Sequence, residues 1–565
     1  MTPDLRVLIV GGYGVFGGRL VELLQSDTRL TLLVAGRSLK LAREYCAARS
    51  KALATLVPTM FDRTNRDPGP LVALHPTIVV DASGPFQAYG RDGYSLVEHC
   101  IAHGIHYLDL ADGSDFVAGI AQFDARARDA GVYVLSGVSS FPVLTAAVVR
   151  RLAVGVAQVQ SIRGGIAPSP YAAVGLNVIR AIAGYSGQRI RVRRLGRASA
   201  AYPFTESMRF VIAVPGMVPL ARTRFSLVDV PDLRALTELW PQADVWMGAG
   251  PVPVALHRAL IAFAWLVRLR LLRSLSGIAC AMHLVANHVR WGEHRGGMFV
   301  SLHGLDSDGK PIVREWHLLA EGDDGPLIPC MAVEAVIKSA LAGHAPPPGA
   351  RSAASDVDLS QYEQLFAQKT IYSGVRQRLS VPETPLYQRI LGTAWDQLHP
   401  AIRQLHSVTR RSSFVGRCTV ERGSNPIAFV IAALIGFPKT GADQAISVQL
   451  TADRGGERWV RVTGDQSFES VQSAGVGRSE WLVRERFGPV AVDMALVVER
   501  ACLRYVVRRW SFFGISLPLW LGPRSAALED VHGEQFRFDV EVSLPIVGLI
   551  VRYSGMLAES AGHIA

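Results

Sequence analysis

The chain has 565 residues, 49% of them hydrophobic and 19% charged, a folded composition too long for one hydrophobic core, so two or three domains are expected. The net charge is +11 with a pI near 9.5, yet only six of the 59 basic residues are lysine and the arginines are scattered. No basic helix carries interleaved aromatics, which excludes nucleic acid as a partner.

Cys46, Cys100, Cys280, Cys330, Cys418 and Cys502 lie far apart with no C-x-x-C pair, which fits reduced thiols and implies no disulfide framework. The chain runs from MTPDLR straight into VLIV, without the charged, apolar and cleavage regions of a signal peptide. No run reaches the ~18–20 apolar residues that span a bilayer. A cytoplasmic protein is expected, with contact at the inner face of the membrane as an option for one segment described below.

In chain order, residues 6–10 read as a strand entering the glycines of VGGYGVFGG, and Phe16, Leu20, Leu23 and Leu24 recur behind them at helical spacing. Gly12-x-Gly14-x-x-Gly17 has the dinucleotide spacing, in which glycines turn the chain, admit the pyrophosphate and let helix and strand pack closely. Strands follow at 30–35, ending at 61–62, and at 77–82, 106–110 and 132–135. Helices follow from Leu39, over 95–103 and over 116–130. Six strands alternating with helices predict a doubly wound parallel sheet.

The second strand ends in Ala35-Gly36-Arg37-Ser38, where an NAD-preferring protein usually carries an acid for the ribose hydroxyl. Arg37 and Ser38 are matched instead to a 2′-phosphate, which favours NADP(H); the alternative is that Arg37 is a solvated loop charge. Asp62 ends the third strand. Asp81-Ala82-Ser83-Gly84-Pro85-Phe86 and the 107–113 stretch YLDLADG leave the carboxyl edge of the sheet, where ligands of open α/β folds bind.

Taken together, GGYGVFG, AGRS, VVDASGPFQ, HYLDLADG and LSGVSSFPVLTAAVV resemble the saccharopine-dehydrogenase-like NADP-binding family. The resemblance is strong over about 5–150 and continues more loosely through Gly165-Ile166-Ala167-Pro168, 226–233 and 325–329. It implies an oxidoreductase-type cofactor domain followed by an α+β domain that covers the nicotinamide. It also implies cofactor contacts at Gly12, Tyr13, Gly14, Val15, Phe16, Gly17, Arg37, Ser38, Asp62, Ala82, Ser83, Gly84, Pro85 and Phe86. It names no substrate.

Hydride transfer usually needs one tuned proton donor or acceptor. No lysine lies between Lys51 and Lys310, which excludes both a Tyr-x-x-x-Lys pair and a Schiff-base lysine there. Tyr89, Asp109 and Asp112 remain near the nicotinamide edge as catalytic candidates. Their quieter explanations are loop packing for Tyr89 and strand-end hydrogen bonds for Asp109, with Ser114 or Asp115 capping the next helix. His99, His103 and His106, and likewise His283, His288 and His294, are read as helix-terminal or exposed histidines rather than metal ligands.

The stretch LHRALIAFAWLVRLRLLRSL, residues 256–275, holds nine successive apolar residues and then alternates arginine with leucine. Burial against a domain, or against a second subunit of a homo-oligomer, is favoured because the run is apolar all round; docking into an anionic membrane surface is the alternative. Residues 346–383, which open within the stretch HAPPPGARSAAS that starts at His344, are read as a linker. From Leu386 a helix-like segment leads into alternating strands at ISVQLTA, RWVRV, WLVRERF and FRFDVEVSL, an antiparallel sheet curved or closed as a barrel or sandwich. This segment resembles an uncharacterised domain fused behind saccharopine-dehydrogenase-like modules. Its apolar runs at 427–435 and 512–521 fit a plain core better than a lipid pocket.

The predicted organisation is an α/β Rossmann domain over 1–150, an α+β substrate domain over 151–345, the linker 346–383 and a mainly antiparallel β domain over 384–560. The function it implies is an NADP(H)-dependent oxidoreductase acting on a small or lipid-like apolar substrate. A non-catalytic dinucleotide-binding sensor or scaffold is the alternative.

Overall fold

The computed structural model describes residues 5–250, 253–377, 384–453 and 455–560. The chain forms two compact units, Met1–Phe210 with Thr223–Ser373, and Val211–Arg222 with Gly374–Ala565.

The first unit begins with β1 (Leu5–Val10), α1 (Val15–Leu24), β2 (Leu30–Gly36), β3 (Thr55–Met60), β4 (Ile78–Asp81), β5 (His106–Asp109) and β6 (Tyr133–Ser136). All the strands are parallel, in the order β6-β5-β4-β1-β2-β3. They read as near-continuous apolar runs because helices cover both faces. Leu8, Val10, Leu33, Val79, Tyr107 and Val134 share one core. Val10 stands opposite both Ala35 and Asp81, and Asp81 opposite Asp109, so four strands end level at one edge. Strand order reverses between β1 and β4, which makes their shared end the ligand crevice.

Where the sequence predicts one helix over 116–130, the chain makes Ser114–Gly119 and Asp124–Asp129, joined by a tighter turn. Gly119 at the junction makes room for the Tyr94 hydroxyl, which stands 2.1 Å from where a Cβ would sit.

The predicted linker 346–383 is a correction. Gly349–Ser352 adds a seventh parallel strand beside β6, and the capped helix Leu359–Phe366 and strand Ile371–Gln377 follow. The non-periodic backbone is satisfied from far along the chain: Gly349 donates to the Val132 carbonyl at 2.9 Å and Ala350 to Asp124 at 3.0 Å. Arg150 donates to the carbonyls of Ala354 (2.7 Å) and Val357 (2.6 Å). The unit therefore runs on to Ser373 rather than ending at 345; residues 378–383 lie outside the described residues.

A second, mixed sheet of the same unit runs Ser207–Phe210, Thr223–Leu227, Asp244–Ala249, Gln158–Ala167, Gly296–Leu305, Pro311–Ala320 and Ile371–Gln377. Gly165 is required at its centre, since a Cβ there would stand 2.6 Å from the Phe299 ring and 2.7 Å from Phe225. Helices Leu176–Tyr185, Val254–Arg268 and Ala279–His288 pack together through Ile179, Ala183, Val267, Leu275 and Ala279. Burial of the 256–275 stretch against its own unit, one of the two forms of burial favoured from sequence, is partial: Val267 and Leu275 are in the core between the helices, while Trp265, Leu269, Leu271 and Leu272 are exposed. The helix ends at Arg268, and His257, Ala264 and Val267 are its only buried residues among those described.

The second unit is an antiparallel barrel. Ten strands, from Arg411–Arg422 to Gly548–Glu559, close where Val490–Glu499 pairs with Cys502–Phe512, and the short strand Ile515–Leu517 is appended. Closure removes the free edges an open sheet would expose. Its interior is filled rather than cupped around a ligand. Tyr387, Trp395, Ile402 and Leu405, from the segment preceding the strands, pack against Phe414, Trp459 and Phe538. Buried polar groups are linked there. Tyr505 donates to Glu529 at 2.8 Å, the His406 ring meets Glu529 at 2.7 Å, and Tyr387 donates to Gln472 at 2.8 Å.

The apolar runs read as core from sequence are only partly in it: Ala428 and Ala432 are buried in the barrel core, with Ile431 and Ile435 packed against it. Helix Pro426–Ile435 exposes Ile427, Phe429, Val430 and Leu434, and the 512–521 segment exposes Phe513, Ile515 and Trp520. Substituting Glu529→Leu should cost about 3–5 kcal/mol, because the Tyr505 hydroxyl and His406 lose their shared acceptor in a buried site. Urea unfolding of the full chain, followed by near-ultraviolet circular dichroism, measures it.

Candidate functional site

The turn between β1 and α1 is built by glycines in close contact. Gly11 has the left-handed backbone (φ +78°), and a Cβ on Gly17 would lie 2.2 Å from the Gly11 carbonyl oxygen. Gly14 is the N-cap of α1, whose first amides have no intrahelical partner and point at the crevice. A backbone cradle that a Cβ would fill, at a helix N-terminus and a topological switch point, fits a dinucleotide pyrophosphate.

Tyr13 ties this loop to the next strand. Its hydroxyl accepts from the Ser38 amide at 3.0 Å, and Gly36 leaves room for its ring, since a Cβ would stand 2.4 Å from that oxygen. Ser38 caps helix Leu39–Ala47 through its side chain (3.3 Å to the Leu41 amide), while Arg37 is exposed beyond the end of β2. Asp62 accepts from the amide and hydroxyl of Thr64 at 2.9 and 2.8 Å. Those bonds, and then the Arg37 charge, hold its carboxyl below the usual range.

The β4 loop closes the crevice from the other side. A Cβ on Gly11 would be 3.1 Å from both the Ala82 carbonyl and Ser83 Cα, and Asn177 donates to the carbonyls of Ser83 (3.1 Å) and Gly84 (3.0 Å). Pro85 begins a turn whose Phe86 faces inward, packed on Tyr89 and Phe116 at ring distances of 5.0 and 5.1 Å.

The three catalytic candidates separate. The Tyr89 hydroxyl bonds Ser83 (2.8 Å), and its ring lies under Arg63, whose guanidinium is 3.5 Å from the ring centre and pairs with buried Asp81 at 2.6 Å. Burial, reinforced by the Asp81 charge, pushes the Tyr89 phenol up. Asp109 is fully buried: Oδ1 accepts from Ser136 (3.0 Å) and from the amides of Gly137 (2.7 Å) and Ala111 (3.0 Å), while Oδ2 has no partner. Burial pushes its carboxyl up to about 7. Asp109 is thus held at the sheet edge and Tyr89 in the loop that follows β4, and neither lines the cavity described next. Ser114, read as a helix cap, instead donates to Asp229 at 2.7 Å; Gly113 occupies the cap position.

Asp112 alone of the three reaches a cavity, of about 720 Å³, that begins at Val15, Phe16 and Arg19 of α1. It runs between helices Leu176–Tyr185, Val254–Arg268 and Ala279–His288, with a predominantly apolar wall of side chains such as Val178, Ile182, Leu260, Met282 and Met298. Asp229, Tyr185 and His257 join Asp112 on the lining.

Burial raises the carboxyls of Asp112 and Asp229, and the charge of Asp229 adds to the effect on Asp112, against hydrogen bonds from Gln87 (3.1 Å) and Ser114 respectively. The Tyr185 phenol is pushed well up by burial and by both acids. His257, hydrogen-bonded to Ser226 at 2.9 Å, is held neutral by burial and by Arg224, down to about 4. Among these, Asp229 lies in the VDVPDL stretch that carries part of the family resemblance, whereas Tyr185 and His257 carry no sequence signal.

Residues 7–135 match the family model described as the saccharopine dehydrogenase NADP binding domain. The N-terminal domain belongs to that family. Residues 398–557 match a domain of unknown function, DUF4166. No curated protein matches the chain. Among solved structures, apo histidine-tagged saccharopine dehydrogenase (L-Glu forming) from Saccharomyces cerevisiae aligns at 14% identity and a TM-score of 0.48, covering 66% of this chain and all of that one. The WlbA (WbpB) dehydrogenase from Thermus thermophilus in complex with NAD and alpha-ketoglutarate aligns at 11% identity and a TM-score of 0.28, covering 61% and 90%. A mutant meso-dapdh from Clostridium tetani E88 with DAP aligns at 12% and 0.31, covering 64% and 99%.

The match to an NADP binding domain agrees with the dinucleotide cradle built by the β1–α1 turn. Among the described residues no cluster of three or more His, Cys, Asp or Glu could hold a metal ion. His106 is stacked on Tyr133, and His294 is paired with Asp323 at 2.9 Å.

Gly17→Ala should abolish tight dinucleotide binding, because the new methyl displaces the Gly11 carbonyl; a nicotinamide fluorescence titration should show at least a roughly tenfold loss with far-ultraviolet circular dichroism unchanged. Asp109 gives a pH signature. In the fold it keeps its proton up to about 7, whereas the unfolded chain loses it near 3.8. Its contribution to stability is therefore present at low pH and is lost as pH rises through that window. Asp109→Asn should flatten the fall in urea midpoint between those pH values relative to the unaltered protein.

Proposed function

We propose that this protein is an NADP(H)-dependent oxidoreductase whose substrate is an apolar, lipid-like molecule held in the cavity. One observation carries the proposal: an apolar cavity holding two carboxyls of raised pKa begins on the dinucleotide loop itself.

When bound, the cofactor supplies hydride chemistry at its nicotinamide. The glycine turn and the α1 amides hold the pyrophosphate, and Arg37, exposed beyond the end of β2 and near the Asp62 carboxylate, pairs with the 2′-phosphate. Tyr13 keeps these two loops in register. The apolar wall excludes water and selects a chain-bearing substrate, while Asp112 and Asp229 mark the polar end.

A carboxyl whose pKa is raised by burial holds its proton to higher pH than a solvated one, so Asp112 or Asp229 serves as the group that donates a proton to the substrate oxygen in reduction and receives it in oxidation. Tyr185 stays protonated beside them and orients that oxygen through its hydroxyl. With no lysine between 51 and 310, the acid pair takes the place that a lysine-assisted tyrosine fills elsewhere.

Incubating the protein with deuterated NADPH and a total lipid extract tests the function: deuterium should appear in a chain-bearing alcohol. Label appearing only in small water-soluble products, or none in any product, overturns the substrate class. For the cofactor, Arg37→Ala should weaken NADPH by about 1–3 kcal/mol and leave NADH unchanged; equal loss for both retires the 2′-phosphate contact.

A further inference from the structure

The helices that wall the cavity have a second face. Between Asp244 and Glu293 the chain contains no acidic residue, while Arg258, Arg268, Arg270, Arg273 and Arg290 fall within it. None of these arginines pairs with an acid among the described residues. The side chains around them are large, apolar and uncovered. Leu271 is 69% exposed, Leu284 60% and Trp291 79%, and Trp265 and Leu269 are exposed beside them. A monomer rarely leaves so concentrated an apolar surface uncovered without a use.

This surface is continuous with the cavity. Phe263, Ile278 and Val285 line the cavity and are also exposed, at 42%, 41% and 39%. Residues that serve both surfaces mark a mouth. It lies among residues of helix Val254–Arg268, of helix Ala279–His288 and of the turn before the latter, close in the chain to the exposed leucines and tryptophans.

We infer that the 254–291 helical pair docks on an anionic phospholipid bilayer, with the cavity mouth facing the lipid. The inference rests on the cavity being the site of an apolar substrate and names the source of that substrate. Charge decides the occupant. Five arginines without an acid complement an anionic headgroup layer, and tryptophan with leucine suits the boundary between headgroups and chains. A second copy of the chain meeting this face across a two-fold axis would bring the same arginines against each other. Arg268 shows the arrangement expected at such a boundary, with its guanidinium 4.6 Å from the ring centres of both Tyr202 and Trp265. Contact is peripheral, since no helix among the described residues is long and apolar enough to cross a membrane.

Flotation of the full chain with vesicles tests the inference. With vesicles of phosphatidylcholine and phosphatidylglycerol the protein should float; with phosphatidylcholine alone, or in high salt, it should float about tenfold less. The double variant Leu271→Glu/Leu284→Glu should lose flotation about tenfold while binding NADPH as before, which separates lost docking from lost folding. An unaltered protein that stays with the soluble fraction overturns the inference. So does a double variant that floats equally well, or a protein that forms dimers dissolved by the double substitution and ignores vesicles. Flotation without deuterium transfer to any lipid would sink the proposed reaction and leave the docking surface standing.

Discussion

The contact between Gly17 and the Gly11 carbonyl governs the first unit. Any side chain at Gly17 would begin 2.2 Å from that oxygen, so α1 can follow β1 this tightly only with glycine there. The tight turn does two things at once. It aims the first amides of α1 at the crevice where strand order reverses, and it carries Val15 and Phe16 directly into the wall of the cavity. Helix Ile328–Leu341 supports α1 from behind, where the Cys330 thiol donates to the Phe16 carbonyl at 3.3 Å. Cofactor site and substrate cavity thus share one short piece of backbone, and a change that loosens it disturbs both.

The apolar cavity also explains the acids at its polar end. A carboxylate in such surroundings forfeits hydration, and the side-chain hydrogen bonds from Gln87 to Asp112 and from Ser114 to Asp229 do not outweigh that loss. Asp81, at the same sheet edge, has the Arg63 guanidinium at 2.6 Å and is held as an ion pair. Asp109 has three donors on one oxygen and none on the other. Four acids near one edge therefore meet three different environments. A charge partner holds Asp81 as an ion pair, amide and hydroxyl donors clamp Asp109 in the sheet, and of these four only Asp112 and Asp229 line the cavity.

The parts of this arrangement legible in the sequence are those made by neighbours along the chain. The glycine turn, the six apolar strands and the alternation of RWVRV or FRFDVEVSL each declare themselves within a dozen residues. What the sequence concealed depends on distant partners. Gly349–Ser352 looks like linker because its four residues have no pattern of their own, and its pairing with β6 comes from more than 200 residues away. Asp229 and Tyr185 join Asp112 only because the second sheet and its helices fold over the crevice. The run at 259–267 is apolar all round, which ordinarily means burial. Here one side faces the cavity and the other is left uncovered, two environments that periodicity cannot separate.

Charge placement resolves what the net value of +11 leaves open. On the barrel, guanidinium groups meet carboxylates from the neighbouring strand or the same turn: Arg484 with Asp493 at 2.6 Å, Arg552 with Asp539 at 2.8 Å and Arg458 with Glu469 at 3.3 Å. Such pairs lock cross-strand neighbours and cancel locally. Between residues 245 and 292 there is no acid to cancel anything, and the arginines there alternate with exposed leucines. Unlike the cross-strand pairs of the barrel, the arginines beside the cavity mouth meet no acid in their own stretch of chain, a local property of the helical pair. Arginine suits that setting better than lysine, since a weakly hydrated planar cation can lie against tryptophan and tyrosine rings while still meeting phosphate. The scarcity of lysine along the whole chain and the bare arginines of this one surface thus answer different demands, cross-strand pairing in the barrel and an apolar, anionic boundary at the cavity.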